Sequence, residues 1–173
     1  LRSSGVYETA AIGGPAGNSA LGRKVRYQLT NSNTSVTPYS AQAAYQLILL
    51  NENHDQRIIS LDRRGLAAEY GITTSVNFEL RDKQNRRVLG PEHIDERRTI
   101  TNNPDNALTT SQDIGLVRTD MQQVLAAQIV RRLGAYATYQ RPKDLLKAAT
   151  TDAPTQSETT PATDATQPPA TPN

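Results

Sequence analysis

The stretch AEYGITTSVNFELRD, Ala68 to Asp82, decides the fold. Along it Tyr70, Ile72, Val76, Phe78 and Leu80 alternate with Gly71, Thr73, Ser75, Asn77, Glu79 and Arg81, and Thr74 is the one polar residue on the apolar side. Successive side chains of a strand point to opposite faces, so this period of two predicts a strand with one face buried and one wet. One-sided burial of that kind belongs to an antiparallel sheet covered on a single side.

The neighbouring segments extend the sheet. AYQLILLN (Ala44 to Asn51) and QRIISLD (Gln56 to Asp62) read as one long or interrupted strand, with Arg63, Arg64 and Gly65 as its turn. DKQNRR (Asp82 to Arg87) then connects to a further strand from Val88 to about Thr101, broken near Gly90 and Pro91. Val6 to Ile12 reads as a short edge strand, and Gly13, Gly14, Pro15 and Gly17 break the chain after it.

Two helices complete the pattern. The first is expected from a cap at Asn18 or Ser19, with Leu21, Val25 and Leu29 on one stripe. The second is expected from a cap at Ser111, with Ile114, Val117, Met121, Val124, Leu125, Leu133 and Tyr136 at helical spacing and an end marked by Gly134 and Pro142. The economical architecture is α+β: a mostly antiparallel four-stranded sheet with two helices packed on one face, each covering apolar surface that the strands present.

Residues 1–147 form this domain, and residues 148–173 are a Thr/Pro-rich tail expected to be disordered, since they cannot bury enough apolar area to offset their ordering entropy. A domain of that size buries roughly two thirds of its unfolded surface and needs no metal or disulfide. With 36% hydrophobic residues, no Trp and Phe78 as the only Phe, one modest core is the most that can form. No apolar run approaches the roughly 20 residues of a spanning helix. The formal charge is +2, and without the tail acids Asp152, Glu158 and Asp164 it becomes +5, a balance suited to anionic partners.

Residues for catalysis are sparse. There is no Cys, so no thiol chemistry and no thiolate metal site. His54 sits in what reads as a polar strand connection (NENHDQ) and His93 beside Pro91 and Glu92, neither spaced with a nucleophile and an orienting acid, and both read as surface residues. Asp95 and Glu96 face opposite sides of their strand and cannot share a substrate. The GGPAG segment lacks the Lys and Ser/Thr of a phosphate loop. Of the arginine pairs at 63–64, 86–87, 97–98 and 131–132, a turn lets Arg63 and Arg64 converge on one anion, whereas strand neighbours diverge. Nucleic acid is disfavoured, because most aromatics are committed to strands or helices and few remain for stacking. No catalytic residue, metal site or cofactor is expected.

Taken in order, GRKVRYQL (Gly22 to Leu29), RRGLAAEY (Arg63 to Tyr70), NNPDNAL (Asn102 to Leu108) and the helix from Gln112 to Leu133 resemble the lipopolysaccharide-assembly lipoprotein family LptE. The resemblance covers nearly all of the expected domain and includes the Thr/Pro-rich tail. It implies a non-enzymatic outer-membrane lipoprotein, a plug in the lumen of the β-barrel LptD that binds lipopolysaccharide on its way to the outer leaflet. Leu1 and Arg2 match a pair that follows a lipidated Cys in the family, which implies an anchoring Cys just upstream and a place on the periplasmic side of the outer membrane.

The resemblance also assigns lipopolysaccharide binding to a basic residue on the turn before the Glu-Tyr strand, here Arg63, with Arg64 beside it. Two positions depart from the family. A second basic position after the Asn-Pro turn is Thr110, and an aromatic that precedes the turn arginine in some members is Asp62. The alternative implied by the same residues is an auxiliary lipoprotein of a different envelope transport system.

Overall fold

The computed structural model describes residues 9–32 and 34–151, with side chains as far as Ala137. In chain order the elements are β1 (Thr9–Gly13), α1 (Ala20–Asn31), β2 (Ser35–Val36), a 3-10 turn (Ser40–Gln42), β3 (Tyr45–Leu61), β4 (Ala67–Asp82), β5 (Arg87–Thr101) and α2 (Ala107–Thr151). The sheet order is β2-β1-β3-β4-β5. β3, β4 and β5 form an antiparallel meander, while β1 runs parallel to both β2 and β3.

The α+β class stands, with five strands where four are expected. The added strand is the two-residue β2, and it takes the edge position, so β1 lies inside the sheet rather than at its border. The cause is connectivity: α1 follows β1 as a crossover, and a crossover returns the chain parallel to the strand it left. β1 is flanked by a strand on each edge, and Ala10 and Ala11 are both buried. Gly14, at φ +88°, completes the exit from β1; a Cβ there would lie 2.5 Å from the Leu49 carbonyl oxygen.

The inward row of β4 follows the alternation: Ile72, Thr74, Val76, Phe78 and Leu80 are buried. Phe78, Val76 and Leu80 join Leu47 and Leu49 of β3 against Leu21, Val25 and Leu29 of α1 and Leu125, Ile129 and Leu133 of α2. A second cluster near the far end of the sheet packs Ile72 and Ile100 on Ile114 and Met121, with Tyr70 and Val117 at its margin. The opposite face carries no helix and is polar. Across it Asn77 Nδ2 donates to Asn51 Oδ1 (2.7 Å), and His93 Nδ1 lies 2.8 Å from Asn77 Oδ1.

The first helix starts at an expected cap, and the second differs from expectation only at its ends. Ser19 caps α1, its Oγ accepting from the Gly22 amide at 3.2 Å. In α2 the cap is Asn106 instead of Ser111, because Asn106 Oδ1 accepts from the Thr109 amide at 3.2 Å and starts the helix a turn earlier. Nor does α2 stop at Gly134 or Pro142. A glycine costs a helix interior about 1 kcal/mol, and a proline removes one hydrogen bond of the ladder without dissolving those around it. Residues 148–151 of the expected tail belong to α2, and its remainder, like Val6 to Glu8 of the first expected strand, lies outside the described residues.

Candidate functional site

The β3–β4 turn holds the two arginines singled out from sequence, and it separates them. Asp62 organises the turn: its Oδ1 accepts from the amides of Arg64 (2.8 Å) and Leu66 (2.9 Å), and its Oδ2 accepts from Arg64 Nε (3.1 Å). Gly65 supplies the left-handed backbone the turn needs, at φ +76°. Arg64 also reaches Asp105, at 3.6 Å, which ties the hairpin to the segment leading into α2. Its positive charge is thus matched by two carboxylates. Arg63 is exposed and makes no ion pair or side-chain hydrogen bond among the described residues, so its guanidinium is open to a ligand.

The electrostatics follow from this geometry. The Leu66 amide, then the Arg64 side chain and its charge, hold the Asp62 carboxyl below the ordinary carboxylate range despite some desolvation. Asp62 in turn raises Arg64. Asp62 therefore has a structural task. So does Thr110: it is buried, and its hydroxyl accepts from the Asn103 amide at 3.3 Å, closing the loop after β5.

Sequence reasoning missed the apolar part of this tip. Ile58, Ile59, Leu61 and Leu66 on the hairpin are exposed, Leu61 to 61%, and Leu108 at the start of α2 is 70% exposed. The signal was present as Ile58-Ile59, where two adjacent apolar residues put apolar surface on both faces of one strand. β3 runs past the cover of the helices here, so neither face is sealed. The result is an uncompensated guanidinium beside exposed aliphatic side chains, a combination that suits an amphiphile with anionic groups.

The other arginine pairs are mostly occupied. Arg86 meets Asp82 at 2.8 Å, Arg87 lies 3.8 Å from Glu79, and Arg97 meets Asp95 at 2.8 Å. Arg98 pairs with Glu96 on the other face, so Asp95 and Glu96 diverge as the strand geometry requires. Arg132 donates to Glu92 at 2.6 Å.

His54 is not in a connection, as its polar surroundings suggested, but in the middle of β3 on the helix side. Its Nδ1 lies 3.1 Å from the Thr74 hydroxyl and its Nε2 3.2 Å from Glu52, which also accepts from Gln122 Nε2 at 2.5 Å. With Glu52 taking the Nε2 proton, Nδ1 accepts from Thr74. The order hydroxyl, imidazole, carboxylate is that of a hydrolytic triad, yet Thr74 is 0% exposed and no substrate carbonyl can reach its oxygen. The network instead satisfies polar groups between the two apolar clusters. Among the described residues no three His, Cys, Asp or Glu side chains are grouped to hold a metal ion, and no helix is long and apolar enough to cross a membrane.

Comparison with known proteins adds a family. Residues 7–133 match the family model described as LptE, lipopolysaccharide-assembly. No curated protein matches the sequence. The fold is shared with the solution structure of an uncharacterized lipoprotein B from Nitrosomonas europaea, at 21% identity and a TM-score of 0.68, covering 80% of this chain and 91% of that one. The rare lipoprotein B of Shewanella oneidensis is similar at 21% identity and a TM-score of 0.67, covering 77% and 98%. A minor lipoprotein from Acinetobacter baumannii gives 20% identity and 0.63, covering 75% and 92%.

Proposed function

Because the chain belongs to the LptE lipopolysaccharide-assembly family, we propose that it acts as a non-enzymatic partner of an LptD-type outer-membrane barrel, seated in the lumen from the periplasmic side, and binds lipopolysaccharide there. The observation that carries the reading is the β3–β4 tip. Arg63 offers a guanidinium that no carboxylate among the described residues neutralises, and Ile58, Leu61 and Leu66 on the hairpin, with Leu108 at the start of α2, are exposed aliphatic groups. Lipopolysaccharide couples phosphates and carboxylates to acyl chains, so one ligand meets both kinds of surface. Guanidinium and phosphate form charge-assisted hydrogen bonds, and each buried methylene of an acyl chain adds about 0.8 kcal/mol.

The helix-free face supports the seating in a hydrated lumen, since Asn51, Asn77 and His93, one from each strand of the meander, already form a hydrogen-bonded row there. Of the pair chosen from sequence, Arg63 is the ligand-facing residue and Arg64 its supporting neighbour. A lipid anchor of the kind that the lipoprotein family implies would hold the protein at the outer membrane.

The test is affinity purification of the lipidated protein from outer membranes, followed by identification of what accompanies it. An LptD-type barrel together with lipopolysaccharide supports the reading. Recovery with another envelope transporter and no barrel replaces it with the auxiliary-lipoprotein alternative.

A further inference from the structure

We propose that the helix layer is a docking surface for an acidic protein wall, which on the reading above is the carboxylate-bearing inner wall of the barrel. The observation is charge segregation. α1 carries Arg23, Lys24 and Arg26 and no Asp or Glu, and α2 carries Arg131 and Arg132 in a stretch without an acid from Met121 to Lys143. On the sheet and its β4–β5 turn, Arg81, Arg86, Arg87, Arg97 and Arg98 each sit against a carboxylate, and Arg57 is the one sheet arginine without an ion pair among the described residues. On the helices, Lys24, Arg26 and Arg131 have no ion pair or side-chain hydrogen bond among the described residues, and Arg23 donates only to the Asn18 carbonyl, at 3.0 Å.

The surface has shape as well as charge. Arg23, Lys24 and Tyr27 of α1, with Gln123 of α2, line a hollow of about 320 Å³ along the seam between the helices. Further along α2, Gln128, Arg131 and Arg132 line a second hollow of about 320 Å³. Tyr27 is 66% exposed beside three cations. Tyrosine and arginine are the residue types that anchor protein interfaces, and unmatched cations select an acidic counterpart.

Two other anionic partners fit less well. A bilayer surface calls for apolar side chains that enter the acyl boundary next to the cations; on α1 the only large exposed apolar residue is Tyr27, and the exposed aliphatic groups lie at the hairpin tip and, on α2, at Leu108 and Leu116, ahead of its acid-free stretch. A nucleic acid strand calls for several stacking aromatics, where this surface exposes Tyr27 alone among the described residues.

The experiment uses the full chain co-expressed with its LptD-type barrel. Three variants are compared: R23E/K24E/R26E, its charge-keeping counterpart R23K/K24R/R26K, and R57E on the helix-free face of the sheet as a control for charge reversal away from the helix layer. The expected result is barrel retention reduced at least about tenfold for the triple reversal alone, with thermal unfolding and lipopolysaccharide binding unchanged, and a wild-type complex that weakens as salt rises. Wild-type retention by the triple reversal overturns the inference and leaves the reading intact. Loss of binding to phosphatidylglycerol vesicles or single-stranded DNA, with the barrel still held, also overturns it. Failure of the unaltered chain to hold the barrel removes the reading and this inference together.

Discussion

The Asp62 carboxylate accepts three hydrogen bonds within the β3–β4 turn, one of them from Arg64 Nε at 3.1 Å, and the Arg63 side chain beside it has no partner among the described residues. Adjacent arginines in one turn thus have different work. Arg63→Glu is expected to weaken lipopolysaccharide binding by about tenfold or more, the scale of one lost charge-assisted contact, and to shift folding stability by less than about 0.5 kcal/mol. Arg64→Gln is expected to do the reverse, lowering the unfolding midpoint while affinity changes little. Parallel titrations and melts of the two variants check this, and equal losses of affinity would show that the turn presents both cations.

Much of the fold was legible because β4 states it directly: Tyr70 to Leu80 alternate, and the structure buries Ile72, Val76, Phe78 and Leu80. What was not legible depends on partners distant in sequence. β1 became an internal strand because α1 returns the chain beside it, and His54 became a network residue because β3 continues through a polar stretch that alone reads as a loop. At the candidate site, Arg63 could be chosen from the turn, but the neutralisation of Arg64 needed Asp105, which lies 41 positions further along the chain and at 3.6 Å in space.

Phe78 is the largest fully buried side chain and touches the core that both helices share. Its replacement by Ala is expected to cost about 3–5 kcal/mol, the usual range for a buried aromatic whose cavity cannot collapse. Chemical denaturation measures this, and a loss near zero would mean that β4 presents its other face to the helices.

The two turns that bound β4 predict an acid limit on stability. Asp82 repeats the arrangement of Asp62, accepting from the amides of Gln84 and Arg86 and from Arg86 Nε. Desolvation acts against the charged form of Asp82, but the Arg86 amide and guanidinium and the Gln84 amide outweigh it, so both carboxyls titrate below their unfolded value of 3.8. A folded pKa that lies below the unfolded one adds stability that is complete above pH 3.8 and is lost as pH falls through the folded value. The denaturation midpoint should therefore drop below about pH 4, and D62N/D82N should drop less steeply over that window. An unchanged slope in the double variant would assign the acid sensitivity to other carboxyls.

The apolar half of the hairpin tip can be tested apart from its charge. Ile58, Leu61 and Leu66 are exposed, so replacing all three by Ser removes little that the folded state had buried, and stability should move by only a few tenths of a kcal/mol per site. If these side chains meet acyl chains, intact lipopolysaccharide should bind more weakly to the triple variant, because apolar area is no longer removed from water on both partners. A deacylated saccharide carrying the same phosphates should bind both proteins alike, since it uses Arg63 and not the aliphatic rim. The comparison therefore yields a ratio of affinities, high for the native tip and near one for the serine variant. A ratio that stays high would place the acyl chains elsewhere, while a low ratio in the native protein would reduce the tip to an anion site.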